Sequence, residues 1–110
     1  MNNGYTVAVT LGRNVGNVPM ALYRWSDFQQ KIRAVLSGNG TVIQEPARMS
    51  GAQMGEWDGV REDACTFIAL LPTVERVGNV RTGLKFLCGL YKQQAIGYLV
   101  CDGTDNLVTP

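Results

Sequence analysis

The residues best equipped for chemistry gather in two stretches of this 110-residue chain. The first is Gly12-Arg13-Asn14-Val15-Gly16-Asn17. Its glycines bare backbone N–H groups, Arg13 adds a fixed positive charge, and a helix following such a loop turns its N-terminal dipole toward an anion. The loop lacks the Lys-Ser/Thr of a nucleoside triphosphate cradle, and glycine serving turn geometry alone is the competing reading. The second stretch, Trp57-Asp58-Gly59-Val60-Arg61-Glu62-Asp63, sets an aromatic plane beside charges of both signs. Trp57 suits stacking on a ring and Arg61 suits pairing with a phosphate; a tryptophan capping the core among solvated charges is the alternative. Glu62 and Asp63 are adjacent on a strand and face opposite ways, which argues against a paired-carboxylate acid–base dyad. The expected ligand-binding set is Gly12, Arg13, Asn14, Trp57 and Arg61, with no catalytic group assigned.

What the chain lacks narrows the chemistry further. It has no histidine, which removes Ser-His-Asp and Cys-His triads and the commonest general base and metal ligand. Cys65, Cys88 and Cys101 lie in apolar surroundings without C-x-x-C spacing and read as buried thiols, not as a metal or redox site. No cofactor and no metal are expected. Ten Lys+Arg against nine Asp+Glu give a net charge of +1, with no global pull toward nucleic acid or an acidic membrane. Arg76, Arg81, Lys85 and Lys92 are spread over one segment and read as a solvated helix surface. No apolar run approaches the roughly 20 residues of a bilayer span, and the first residues lack the pattern of a signal peptide. These features lead to an expected cytoplasmic location.

The elements that must carry these residues are legible from periodicity. Tyr5 to Leu11 alternates, with Tyr5, Val7, Val9 and Leu11 on one side and Thr6, Ala8 and Thr10 on the other, as a half-buried strand does. Pro19 reads as lying near a helix start. Trp25, Phe28, Ile32, Val35 and Leu36, with Leu22, then form one apolar stripe that Gly38-Asn39-Gly40 ends. Thr41 to Gln44 begins an edge strand before Pro46, 48–56 is left unassigned, and Asp58-Gly59 signals a tight hairpin. Ala64 to Leu71 is a strand apolar on both sides. Thr73 is placed to cap a second helix, whose stripe runs from Val74 through Val80, Leu84 and Leu87 to Leu90 and Tyr91; Gly78, Gly83 and Gly89 weaken it or mark close packing. A last strand covers Ala95 to Cys101.

Strand, helix, hairpin, helix and strand make an α+β chain of one domain in the ferredoxin-like β-α-β-β-α-β order. Its antiparallel four-stranded sheet carries both helices on one face. Two helices cannot cover both faces of the Ala64–Leu71 strand. Cys65, Phe67, Ala69 and Leu71 are assigned to the uncovered side, where they predict a homodimer or higher oligomer packed sheet to sheet. The competing cover is the C-terminal tail or the 48–56 segment.

The Gly-Arg-Asn-Val-Gly-Asn-Val-Pro-Met loop, the Trp25-x-x-Phe28 helix, Glu56-Trp57-Asp58-Gly59-Val60-Arg61-Glu62 and a strand ending in Leu71-Pro72 resemble uncharacterised small ferredoxin-like proteins of actinobacteria and their phages. The resemblance spans most of the chain and implies the fold; a phage origin implies a protein that counters host defence by binding something. The resulting expectation is a non-enzymatic, homo-oligomeric protein that sequesters a small anionic ligand such as a nucleotide signal. The alternatives are a cofactor-free enzyme of the dimeric ferredoxin-like type, acting on a small apolar or aromatic substrate, and a protein-binding module.

Overall fold

A computed structural model describes residues 4–46, 53–57 and 60–101. The first strand, β1 (Tyr5–Gly12), buries Val7, Val9 and Leu11 and turns Thr6, Ala8 and Thr10 the other way. Valine against threonine at period two decides which side of the strand is dry. β1 pairs antiparallel with β6 (Val60–Leu71) on one edge and with β7 (Gly97–Cys101) on the other. β4 (Thr41–Gln44) and β5 (Gln53–Trp57) share the far edge of β6, each taking part of its 12-residue length. The sheet order β4-β6-β1-β7, with β5 on β6, is the ferredoxin-like arrangement. A two-stranded ribbon, β2 (Asn14–Val15) with β3 (Val18–Pro19), is added to it.

Helix α1 (Leu22–Ser37) buries Trp25, Phe28, Ile32 and Leu36, a spacing of three and four that keeps one stripe inward. Leu22, read as part of that stripe, is exposed. The helix starts later than Pro19 suggests: that proline lies in β3, and the backbone N–H groups of Arg24 and Trp25 close on the Ala21 carbonyl. At the other end Gly40 is required by space, because a Cβ there would overlap the Leu70 carbonyl oxygen. Helix α2 (Val74–Leu90) opens as its sequence indicates, with the Thr73 hydroxyl accepting from the Arg76 N–H at 3.2 Å. It buries Val80, Leu84 and Leu87, with Tyr91 just beyond its end, while Val74 and Leu90 are exposed. Gly83 lets the helices approach: a Cβ on it would stand 3.0 Å from the Val35 side chain. Phe28 stacks on Tyr91 with ring centroids 4.5 Å apart, which closes the core at that end.

The assignment of faces in β6 is corrected by this packing. Cys65, Phe67, Ala69 and Leu71 are the core side of the strand, each no more than 2% exposed. In register Val9 faces Phe67, Val7 faces Ala69 and Tyr5 faces Leu71, so the dry side of β1 fixes the phase of β6. A strand apolar on both sides carries no phase of its own; only its neighbour supplies one. Among the described residues the uncovered face is the other set: Ala8, Ile68 and Leu99 side by side, with Leu70 and Cys101 flanking Thr6; the competing cover, the C-terminal tail and most of the 48–56 segment, lies outside the described residues. Leu70 and Leu99 are 44% and 50% exposed there. Among the described residues no helix is long and apolar enough to cross a membrane.

Candidate functional site

Gly12, Arg13 and Asn14 lie where β1 finishes, and Trp57 and Arg61 lie in the stretch of β5 and β6 that runs on past that point. Gly12 is the last residue of β1 and pairs with Ala64. Arg13 follows, and the chain then folds into the β2–β3 ribbon, turning at Gly16, whose φ of +62 suits glycine. On the other side of Gly12, β6 runs on past the end of β1 from Asp63 back to Val60, with β5 alongside. The backbones of Trp57 and Arg61 lie in this two-stranded arm, opposite Val60 and Glu56 respectively. Their side chains lie outside the described residues, as does the Asp58-Gly59 turn.

Arg13 is not a free cation waiting for an anion. Its Nη1 donates to Asp63 Oδ2 at 2.8 Å and its Nε donates to the Met20 carbonyl at 2.8 Å. Its backbone N–H donates to the Asp63 carbonyl, and its own carbonyl accepts from the Met20 N–H, both at 3.0 Å. The ribbon is fastened from the opposite side by Gln93, whose Nε2 donates to the Asn14 carbonyl at 3.1 Å. Between the ribbon and α1 stand Met20, which is buried, and Ala21. Arg13 therefore braces the ribbon, and α1 starts two residues beyond it, after Met20 and Ala21.

Two clusters were not found from sequence. Asp63 stood in a charged run, with no local signal that it would meet Arg13 across 50 positions. Asp27, on the wet side of the α1 stripe, accepts from the Tyr91 hydroxyl and pairs with Lys31 at 3.5 Å, while the Arg24 guanidinium lies 4.7 Å over the Tyr91 ring. The Tyr91 hydrogen bond, offset by some burial and helped by the Lys31 charge, holds the Asp27 carboxyl below its usual value. Burial, with the same hydrogen bond, pushes the Tyr91 phenol up to about 12. This is a latch that ties α1 to the end of α2. On the open sheet face the Thr10 and Thr66 hydroxyls meet at 3.2 Å next to the same sheet end. Among the described residues no group of three His, Cys, Asp or Glu side chains stands ready for a metal ion.

No family model and no curated protein matches the sequence. Two solved structures share the fold. A phage SAM lyase in complex with S-methyl-5'-thioadenosine is 19% identical, over 93% of this chain and 83% of that one, with a TM-score of 0.58. The phage SAM lyase in its apo state is 19% identical, over 90% and 80%, with a TM-score of 0.61. At that identity the likeness shows the fold. It also overturns the expectation of a non-enzymatic anion binder, since the proteins that share this architecture nearly end to end are enzymes. Missing histidine was too weak a ground for placing a binder ahead of an enzyme: it excludes proton-transfer chemistry built on imidazole, and not reactions whose leaving group departs without a proton.

Proposed function

We propose that this chain is an enzyme that cleaves an adenosyl sulfonium, S-adenosylmethionine being the first substrate to test, with release of methylthioadenosine. The observation that carries this reading is the fold shared over 93% of the chain with a phage SAM lyase holding S-methyl-5'-thioadenosine. The chemistry suits the residues. When the bond between sulfur and the four-carbon amino acid fragment breaks, the bonding pair goes to sulfur, and a positive sulfonium leaves as a neutral thioether. No general acid is needed for that departure, which agrees with a chain that has no histidine. In a lyase reaction no water is added, so the fragment either loses a proton to form a double bond or closes on its own carboxylate. Such a substrate carries no phosphate and is net positive, so it has no need of Arg13, which is already paired with Asp63. The ligand-binding role of Gly12, Arg13, Asn14, Trp57 and Arg61 becomes, in this reading, a placement where β1 finishes and on the arm beyond it, with Arg13 as a brace.

The test is to incubate the purified protein with S-adenosylmethionine and follow methylthioadenosine by chromatography, against the spontaneous breakdown of the substrate alone. Release proportional to protein concentration supports the reading. Release no faster than the blank, with no heat of binding for methylthioadenosine, refutes it.

Self-association belongs to the same proposal, on the corrected face. Among the described side chains, the positions facing out where β1 pairs with β6 and β7 and where β4 pairs with β6 are Thr, Ala, Ile, Leu, Gly, Cys and Gln, and none is charged. Such a stretch of face can pack on a copy of itself without placing like charges together. We place the protein in the cytoplasm, where such a substrate is found.

A further inference from the structure

Arg13 does more at the sheet end than neutralise a carboxylate. The β1 ladder finishes at Gly12 opposite Ala64, yet β6 continues for four residues, Val60 to Asp63, with β5 on its far edge. On the near edge Arg13 takes over where β1 stops. Its N–H adds one more rung to the Asp63 carbonyl at 3.0 Å, and its guanidinium returns to the Asp63 carboxylate at 2.8 Å. The same guanidinium, through Nε, and the Arg13 carbonyl both reach Met20, at the far end of the ribbon. One residue thus joins the two ends of the ribbon to each other and to the base of the β5–β6 arm. The two side chains are 22% and 31% exposed, sheltered enough to hold one geometry.

An exposed ion pair contributes little to stability and is a poor reason to tie three segments together. What the planar fork provides is position, because each donor goes to a different segment and a point charge such as lysine reaches only one of them. We propose that the Arg13–Asp63 clasp is a positioning pair, which sets the ribbon that carries Asn14 at a fixed distance from the arm that carries Trp57 and Arg61 so that ligand binds between fixed walls. This inference rests on the adenosyl sulfonium reading. It adds to that reading two positioning residues, which act through the segments they hold and not by touching the reacting atoms.

The experiment compares wild type with Asp63→Ala, Asp63→Asn and Arg13→Lys, measuring kcat and KM for S-adenosylmethionine, Kd for methylthioadenosine by calorimetry, and the thermal midpoint. Loose walls weaken binding at every stage, so D63A is expected to raise KM and Kd about tenfold while kcat stays within about twofold. D63N, which keeps an acceptor in place, recovers most of the loss, and R13K, which keeps the charge but not the fork, does not. D63A binding and turning over like wild type overturns the clasp alone. So does a loss of binding that follows the thermal midpoint down and is not recovered by D63N. A wild type that neither cleaves the sulfonium nor binds methylthioadenosine overturns the functional reading, and the clasp proposal falls with it.

Discussion

Phe67 and Leu99 lie on opposite faces of one sheet, and substituting each tests the assignment of those faces. Phe67 is 2% exposed and packs in the core opposite Val9, whereas Leu99 is 50% exposed beside Ala8. Removing a buried phenyl ring, as in Phe67→Ala, costs about 3–5 kcal/mol through lost transfer energy and the cavity left behind. That is a large share of the roughly 5–15 kcal/mol that holds a domain together. With a urea dependence of about 1–3 kcal/mol per molar, the unfolding midpoint falls by about 2 M, or the protein does not fold. Leu99→Asp places a charge where water already reaches, and its cost stays within about 0.5 kcal/mol for an isolated chain. Urea unfolding followed by tryptophan fluorescence reads the first quantity, since Trp25 is buried in the core. Light scattering reads a second: if copies pack through the open face, L99D lowers the native mass to that of one chain without unfolding it. A soluble, folded Phe67→Asp protein together with an unfolded L99D protein would refute the face assignment outright.

Two further experiments probe particular contacts. Tyr91 has its phenol raised from 10.0 to about 12 and Cys65 its thiol from 9.0 to about 12, in both cases chiefly by burial. Each contributes stability that is complete below the unfolded value and disappears as pH rises toward about 12, because over that window the unfolded chain releases a proton that the folded chain keeps. Thermal midpoints should therefore fall from about pH 9 upward, and the combined Tyr91→Phe, Cys65→Ala protein should show a shallower fall; an unchanged slope would contradict the burial of both groups. Gly40→Ala forces a methyl into the Leu70 carbonyl and against Leu71 Cδ2, so the turn between α1 and β4 must shift. The expected result is a lower midpoint for G40A and a raised one for Gly78→Ala, worth about 1 kcal/mol, since that position lies inside α2 and its Cβ meets nothing within 4 Å; equal midpoints would refute the packing at that turn.

Much of the fold was legible because several segments carry a phase of their own. Val7, Val9 and Leu11 against threonine, the α1 stripe of Trp25, Phe28, Ile32 and Leu36, and Thr73 ahead of α2 each state locally what the structure does. The errors fall where local pattern is silent. β6 is apolar on both sides, and only the register with β1 tells its faces apart. β5 lies in a stretch of small and polar residues that adopts strand geometry because β6 offers an edge, not because the residues prefer it. The ribbon Asn14–Pro19 looked like open loop, since strands of two residues are too short for alternation to show. The elements that carry Gly12, Arg13, Asn14, Trp57 and Arg61 were legible in part, whereas the Arg13–Asp63 pair was not, because it spans 50 positions and nothing near either residue announces the other.

The same pair bears on what kind of ligand this end of the molecule can favour. A site for phosphate collects uncompensated donors, and the energetic return comes from cations left without a protein partner until ligand arrives. Here the arginine nearest the ribbon has given its Nε to Met20 and an Nη to Asp63, so drawing it to a phosphate would first break two short bonds and strand a half-buried carboxylate. A sulfonium amino acid, whose single carboxylate is outweighed by an ammonium and the sulfonium, is net positive and makes no such demand. Its positive sulfur favours surroundings that are neutral or slightly negative, and its departure as a neutral thioether is favoured by an apolar wall more than by a proton donor. An Arg13 already bonded within the protein, in a chain free of histidine, is in keeping with the proposed sulfonium cleavage, in which holding a reactive molecule in one conformation supplies the rate.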